Sequence, residues 1–373
     1  MHKHPGPAGQ PRRLAFALGG LAGANAFGAG FLTAARESGV EPDMISCTSG
    51  MIHWTWRYLV GANLRTEVDQ AIREAHGTAP MGRETAWGHV MAKGLSGVFR
   101  TATTEYWQRL MAFPPPLTAR EWMTRLLPAQ VWVPTRPESV FEEMSEVFNA
   151  WDKPLFFNSY APKRGVELVH MNRAAYDLWC RYGYPEHNTD EDLAETGART
   201  KNKQLPMALP KKITAKMIKD ALWLTRYGFQ QQKRIDGAYV RQFMLNELVA
   251  ADLILLARPR RFEWKGDLPE TALELQDFET KLWFDSSYMQ QVHYIDFINR
   301  AVANGSLTSE LYHPVQLYPI EVKLKRGFFD YFKEERGMFD AAVEQSMKAM
   351  WQELGLDQHA TDPGDAVALD LSA

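Results

Sequence analysis

The stretch from Leu14 to Ser49 leaves this chain few folds to choose from. An apolar run, Leu14-Ala-Phe-Ala-Leu18, ends in Gly19-Gly20, and an uncharged segment rich in glycine and alanine follows as far as Ala35. A second apolar run, Met44-Ile-Ser-Cys47, leads into Thr48-Ser49-Gly50-Met51. Short apolar runs closed by glycine read as buried strands, and the segment between them reads as a helix, so the order is strand, loop, helix, strand, sharp turn. Consecutive buried strands joined by a helix predict an α/β fold with a parallel sheet.

The two loops suit different tasks. Gly19, Gly20 and Gly23 free the backbone of bulky side chains where successive N–H groups can face an anion at a helix N-terminus, a candidate oxyanion hole at Gly19, Gly20, Leu21 and Ala22. Ser49 lies between a strand and a helix predicted to start near Met51, so a tight turn would raise its hydroxyl clear of the backbone. By itself such a serine is more often a plain helix cap. The distant Ile235-Asp236-Gly237-Ala238 supplies the second half of the pattern.

With these three segments the chain resembles the patatin-like phospholipases, whose marks are a Gly-Gly-Gly-x-Arg/Lys-Gly loop, a Gly-x-Ser-x-Gly elbow and an Asp-Gly-Gly/Ala motif. Gly20-Leu21-Ala22-Gly23-Ala24-Asn25 falls on the loop, Cys47-Thr48-Ser49-Gly50-Met51 on the elbow and Asp236-Gly237-Ala238 on the third motif. The resemblance implies a three-layer α/β sandwich with a mostly parallel central sheet and an inserted helical region. It also implies Ser49 as nucleophile, Asp236 as its partner in a catalytic dyad, and a lipid acyl hydrolase acting in lipid degradation on phospholipid or another acyl ester without a cofactor. Cys47 and Met51 stand where the family has the outer glycines of the elbow, and a looser, slower site is the expectation. Two rival readings are a patatin-fold protein that binds lipid with its chemistry impaired, and a glycine loop that cradles a nucleotide phosphate. The second lacks a Gly-x-Gly-x-x-Gly match and leaves Asp236 unexplained.

Composition bounds the rest. With 373 residues, 45% of them hydrophobic and 23% charged, the chain has the make-up of a large globular domain, and a formal net charge of −3 gives no electrostatic case for nucleic acid. Two cysteines far apart, Cys47 and Cys180, argue against a disulfide framework, and the ten histidines show no zinc-helix spacing. His53, four residues after Ser49, is the one histidine a triad could recruit, and that spacing favours packing. Arg12-Arg13 ahead of the uncharged run imitates a cleavable signal, but cutting after Ala26 would destroy the glycine loop, so the expected location is the cytoplasm with peripheral membrane contact.

The predicted layout is a disordered lead (1–12), a hydrolase domain (13–355) with a helical, lid-like region at about 52–150, and a disordered tail (356–373). Six of the twelve tryptophans fall between Trp54 and Trp132, where packing a small core is the simpler expectation and lipid contact the other. Leu155 to Asn158 and Val166 to Met171 read as strands around a turn, and Asp190 to Asp192 and Lys201 to Lys212 as charged loop. Helices are expected over Ile213 to Tyr227, from about Leu245, and over Phe284 to Asn304 and Asp340 to Leu354, with strands at Leu253 to Ala257 and Val315 to Val322. Lys323, Lys325 and Arg326 beside Phe328 and Phe329 are a solvated turn or an anionic-membrane contact.

Overall fold

A computed structural model describes residues 13–20, 25–77, 99–128, 130, 132–134, 136–181, 207–208, 212–229, 233–258, 268–270, 272–307, 312–321 and 336–354. In chain order the strands are β1 (Leu14–Leu18), β2 (Met44–Cys47), β3 (Phe99–Thr101), β4 (Trp132–Pro134), β5 (Leu155–Ala161), β6 (Val166–Met171), β7 (Met207–Ala208), β8 (Ile235–Asp236), β9 (Leu253–Ala257) and β10 (Gln316–Ile320). The helices are α1 (Asn25–Glu37), α2 (Gly50–Leu59), α3 (Leu64–Gly77), α4 (Thr103–Leu110), α5 (Ala119–Leu126), α6 (Glu138–Ala150), α7 (Arg173–Arg181), α8 (Ala215–Ala221), α9 (Ala272–Ala303) and α10 (Arg336–Leu354).

The fold is α/β. Its main sheet runs β10-β9-β1-β2-β5-β6-β7, with β8 added against β5. The strands from β10 to β5 are parallel, and β6 turns back antiparallel to β5. Leu14, Phe16 and Leu18 of β1 enter one hydrophobic cluster with α1, α2 and α10, while Ala15 and Ala17 enter a second with α9 and residues 243–251. Both sides of the strand are thus covered, which is why its sequence shows no polar alternation.

The lack of charge between Asn25 and Ala35 is accounted for by burial. Every residue of α1 from Asn25 to Ala35 is buried. Its glycines admit neighbours that a side chain would exclude: a Cβ on Gly30 would stand 2.5 Å from the Phe339 carbonyl of α10, and one on Gly28 would stand 2.2 Å from the Met51 sulfur. Among the described residues no helix is long and apolar enough to cross a membrane.

Several expected elements differ in extent. The helix expected over Ile213 to Tyr227 ends at Ala221 and resumes only as a 3-10 turn at Thr225–Tyr227, because the Trp223 carbonyl accepts the Asp236 amide at 2.9 Å. In place of the helix from about Leu245 there is one 3-10 turn, Asn246–Leu248. The amides of Leu245 and Asn246 both donate to Gln291 Oε1 of α9. The helix after the elbow starts at Gly50, one residue ahead of expectation, and the C-terminal helices begin earlier, at Ala272 and Arg336. The strand expected at Val315 to Val322 is confined to Gln316–Ile320.

Within the 52–150 region, Trp54, Trp56, Phe141, Met144 and Phe148 belong to the main core. The part outside that core runs from β3 to β4, an antiparallel pair that carries α4 and α5 at its far end. The lead, the tail, Trp87, most of the charged loop at 190–212 and the Lys323 to Phe329 cluster lie outside the described residues.

Candidate active site

Ser49 lies just past the end of β2, between Cys47 and the first turn of α2. Its backbone is at φ 52°, ψ −135°, and it is the only residue other than glycine with positive φ among the described residues. That conformation costs on the order of 1–3 kcal/mol and persists where the surroundings over-determine it. Here the Met51 amide donates to the Thr48 carbonyl and the Ile52 amide to the Ser49 carbonyl, closing the first turn of α2 on the serine. The Gly50 amide has no acceptor among the described residues.

The sheet itself brings Asp236 to this turn. β2 pairs with one edge of β5 at Leu155, Phe156 and Phe157, and stops. β6 occupies the other edge, so β8 takes the edge that β2 has vacated, setting Asp236 opposite Ser159, two residues beyond Phe157. The Asp236 carboxylate accepts the Ala238 amide at 2.8 Å, and the Ser49 hydroxyl lies near enough to favour its ionised form. Burial dominates its ionisation and pushes the carboxyl up from 3.8 to about 7, against the lowering influence of the Ser49 hydroxyl and the Ala238 amide. Tyr227, buried beside it, has its phenol pushed up chiefly by burial and further by the Asp236 charge.

Gly20 is the point where the glycine loop meets the elbow. A Cβ there would stand 2.2 Å from the Thr48 carbonyl oxygen and 2.5 Å from Ser49 Cβ. The Gly20 amide donates to Thr48 Oγ1 at 3.0 Å, and the Thr48 hydroxyl donates onward to the Gln242 carbonyl at 2.6 Å. Of the four residues proposed for an oxyanion hole, Gly20 therefore has its N–H engaged by the elbow. Gly19 rests against the Phe243 ring, and Leu21 and Ala22 lie outside the described residues.

The two residues that replace the outer elbow glycines both point away from the serine. The Cys47 thiol, pushed up to about 12 chiefly by burial, belongs to the main core, as does Met51. Met51 fits because α1 carries Gly28 opposite its thioether. Gly28, on a different helix, thus makes the room that Met51 takes up. His53 does not join the pair: burial, then Arg136 and Arg57, hold its imidazole near 3, and its ring packs edge-on to Trp54 and Trp56.

Two buried groupings that local patterns do not reveal hold the aspartate loop. Arg241 makes a two-pronged bond to Glu247 (2.7 and 2.9 Å) and reaches Glu167 of β6 at 2.9 Å, while Asn158 donates to Glu167 and to the Arg241 carbonyl. Beneath Asp236, Ser159 shares a 2.8 Å hydrogen bond with Nε2 of His170, whose imidazole burial keeps near 3 and which stacks on Phe157. Thr48 carried the one readable signal, a hydroxyl next to the candidate serine.

The set comprises a strained serine, a buried carboxylate near neutrality, and a helix N-terminus at the serine. Such a set can deliver an oxygen nucleophile to an ester carbonyl. No group of three or more metal-ligating side chains occurs among the described residues. No protein-family model matches the chain, and no curated protein matches it either.

Proposed function

We propose that the chain is a serine acyl hydrolase of the patatin-like kind, a three-layer α/β hydrolase that cleaves phospholipid or related acyl esters with a Ser49–Asp236 dyad. The observation that carries this reading is the approach of an Asp236 carboxylate of raised pKa to a Ser49 held at positive φ. Asp236 takes the Ser49 proton as Oγ attacks the ester carbonyl, and the leaving alcohol receives that proton. Asp236 then deprotonates a water that releases the acyl group. The Gly50 amide at the start of α2 receives the developing oxyanion, joined by amides of the glycine loop past Gly20.

A second reading, a lipid-binding protein with impaired chemistry, draws on one feature: the Gly20 amide is bound to Thr48 Oγ1 and so is withheld from an oxyanion. A fluorophosphonate probe separates the two, since it needs only an activated serine and an oxyanion site. Labelling at Ser49 is expected, absent in Ser49→Ala and reduced in Asp236→Asn. No labelling of the folded wild-type protein would favour lipid binding alone.

A further inference from the structure

We infer that the helical hairpin 103–127 is a docking element that enters the surface of a lipid bilayer and sets the Ser49 site against it. The hairpin has no core of its own: neither α4 nor α5 contains a buried residue. Its tip bears Phe113 at 92% exposure and Leu117 at 88%, with Met111 and Leu127 exposed behind them and the indoles of Trp107 and Trp122 exposed further back. An aliphatic and aromatic tip with indoles set behind it matches the depth profile of a membrane interface.

The backbone of the tip distinguishes a lipid partner from a protein one. Hydrocarbon offers no hydrogen bonds, so a loop that enters it must satisfy or lack its own polar groups. Between Phe113 and Leu117 stand Pro114, Pro115 and Pro116, which have no N–H. The amides of Leu117 and Thr118 both donate to Glu121 Oε2, and the Arg125 guanidinium donates to the carbonyls of Ala112 and Pro114, each at 2.5 Å. Glu121 is thereby committed to capping α5, while Arg120 stands exposed for an anionic headgroup.

A chain of contacts also runs from the hairpin toward Asp236. Arg109 donates to Gln130 Oε1, Gln130 packs against Gly228, and the 3-10 turn before Gly228 holds Tyr227 beside Asp236. Phe229, Tyr239 and Val240, on the segments that flank Asp236, are themselves exposed and apolar. The inference concerns binding and does not require that Ser49 be active, so the two readings fail separately.

The test uses the full chain carrying Ser49→Ala, so that vesicles stay intact, and sedimentation with vesicles of phosphatidylglycerol and phosphatidylcholine in equal parts. The parent should pellet with the vesicles. Phe113→Ser together with Leu117→Ser should weaken partition by about tenfold or more, since two large apolar side chains lose their transfer. Arg120→Glu should weaken it by a smaller factor that shrinks with salt. The same hairpin substitutions in the Ser49-bearing chain should leave probe labelling unchanged, showing an intact fold. Three results would overturn the inference: no sedimentation of the parent, unchanged partition of the double variant, or a parent dimer in light scattering that the double variant converts to monomer. The last would assign this face to a second copy.

Discussion

At the scale of single residues, Asp236 couples reactivity to stability. In the proposed dyad Asp236 acts as general base only when ionised, so kcat/KM for a short-chain ester should rise about tenfold per pH unit below about 7 and level off above it. Stability runs the other way. Below about pH 4 the carboxyl is protonated in both folded and unfolded chains. Between about 4 and 7 the unfolded chain loses its proton while the folded one keeps it, so stability falls with rising pH and flattens above 7. The move from 3.8 to about 7 corresponds to up to about 4 kcal/mol. Asp236→Asn should therefore lose most activity yet gain stability over the wild type in urea unfolding at pH 8, with the gain shrinking at pH 4. A variant less stable at pH 8 would show that the carboxylate is held by contacts stronger than those described.

At the scale of elements, the elbow depends on two other segments. Met51 is wholly buried against Gly28, so Met51→Gly should not quicken probe labelling of Ser49. It should destabilise the fold by roughly 3–5 kcal/mol through a cavity in α2 and a glycine in the helix, read as a lower urea midpoint. The glycine loop is the more sensitive partner. A methyl at Gly20 would meet the Thr48 carbonyl, which is backbone and cannot swing aside, so Gly20→Ala should abolish probe labelling even where circular dichroism shows a folded chain. Retained labelling would mean that the loop can withdraw from the elbow without cost to the site.

At the scale of the whole molecule, the aspartate loop is fastened to the far side of the sheet by Arg241, whose guanidinium joins Glu167 of β6 to Glu247 and meets Gln291 of α9. Burial pushes the Glu167 carboxyl up, against the lowering effect of that arginine. Removing the arginine would strand two buried carboxylates, so Arg241→Ala should cost about 3–5 kcal/mol. It should also slow labelling of Ser49, because the segment following Asp236 would lose its anchor. A stability loss with labelling rate intact in the folded fraction would confine the network to a structural role.

The strand, helix and turn between Leu14 and Gly50 were legible because each depends on local pattern: β-forming apolar runs, glycines at their ends, and a serine at a strand-to-helix junction. The pair β5 and β6 was legible for the same reason, from two apolar runs about a Pro-Lys-Arg-Gly turn. By resemblance the chain also named Ser49 and Asp236, residues nearly two hundred positions apart. Only the tertiary structure decided that they meet, because their approach depends on β2 ending at Cys47 and β8 taking the edge of β5 that it leaves. It also decided what the altered elbow means, since Met51 cannot be judged without Gly28 on another helix. The exposed hairpin was hidden for a related reason. Tryptophan, leucine and phenylalanine pack cores and enter interfaces alike, and which of these they do is set by whether the rest of the chain folds over them.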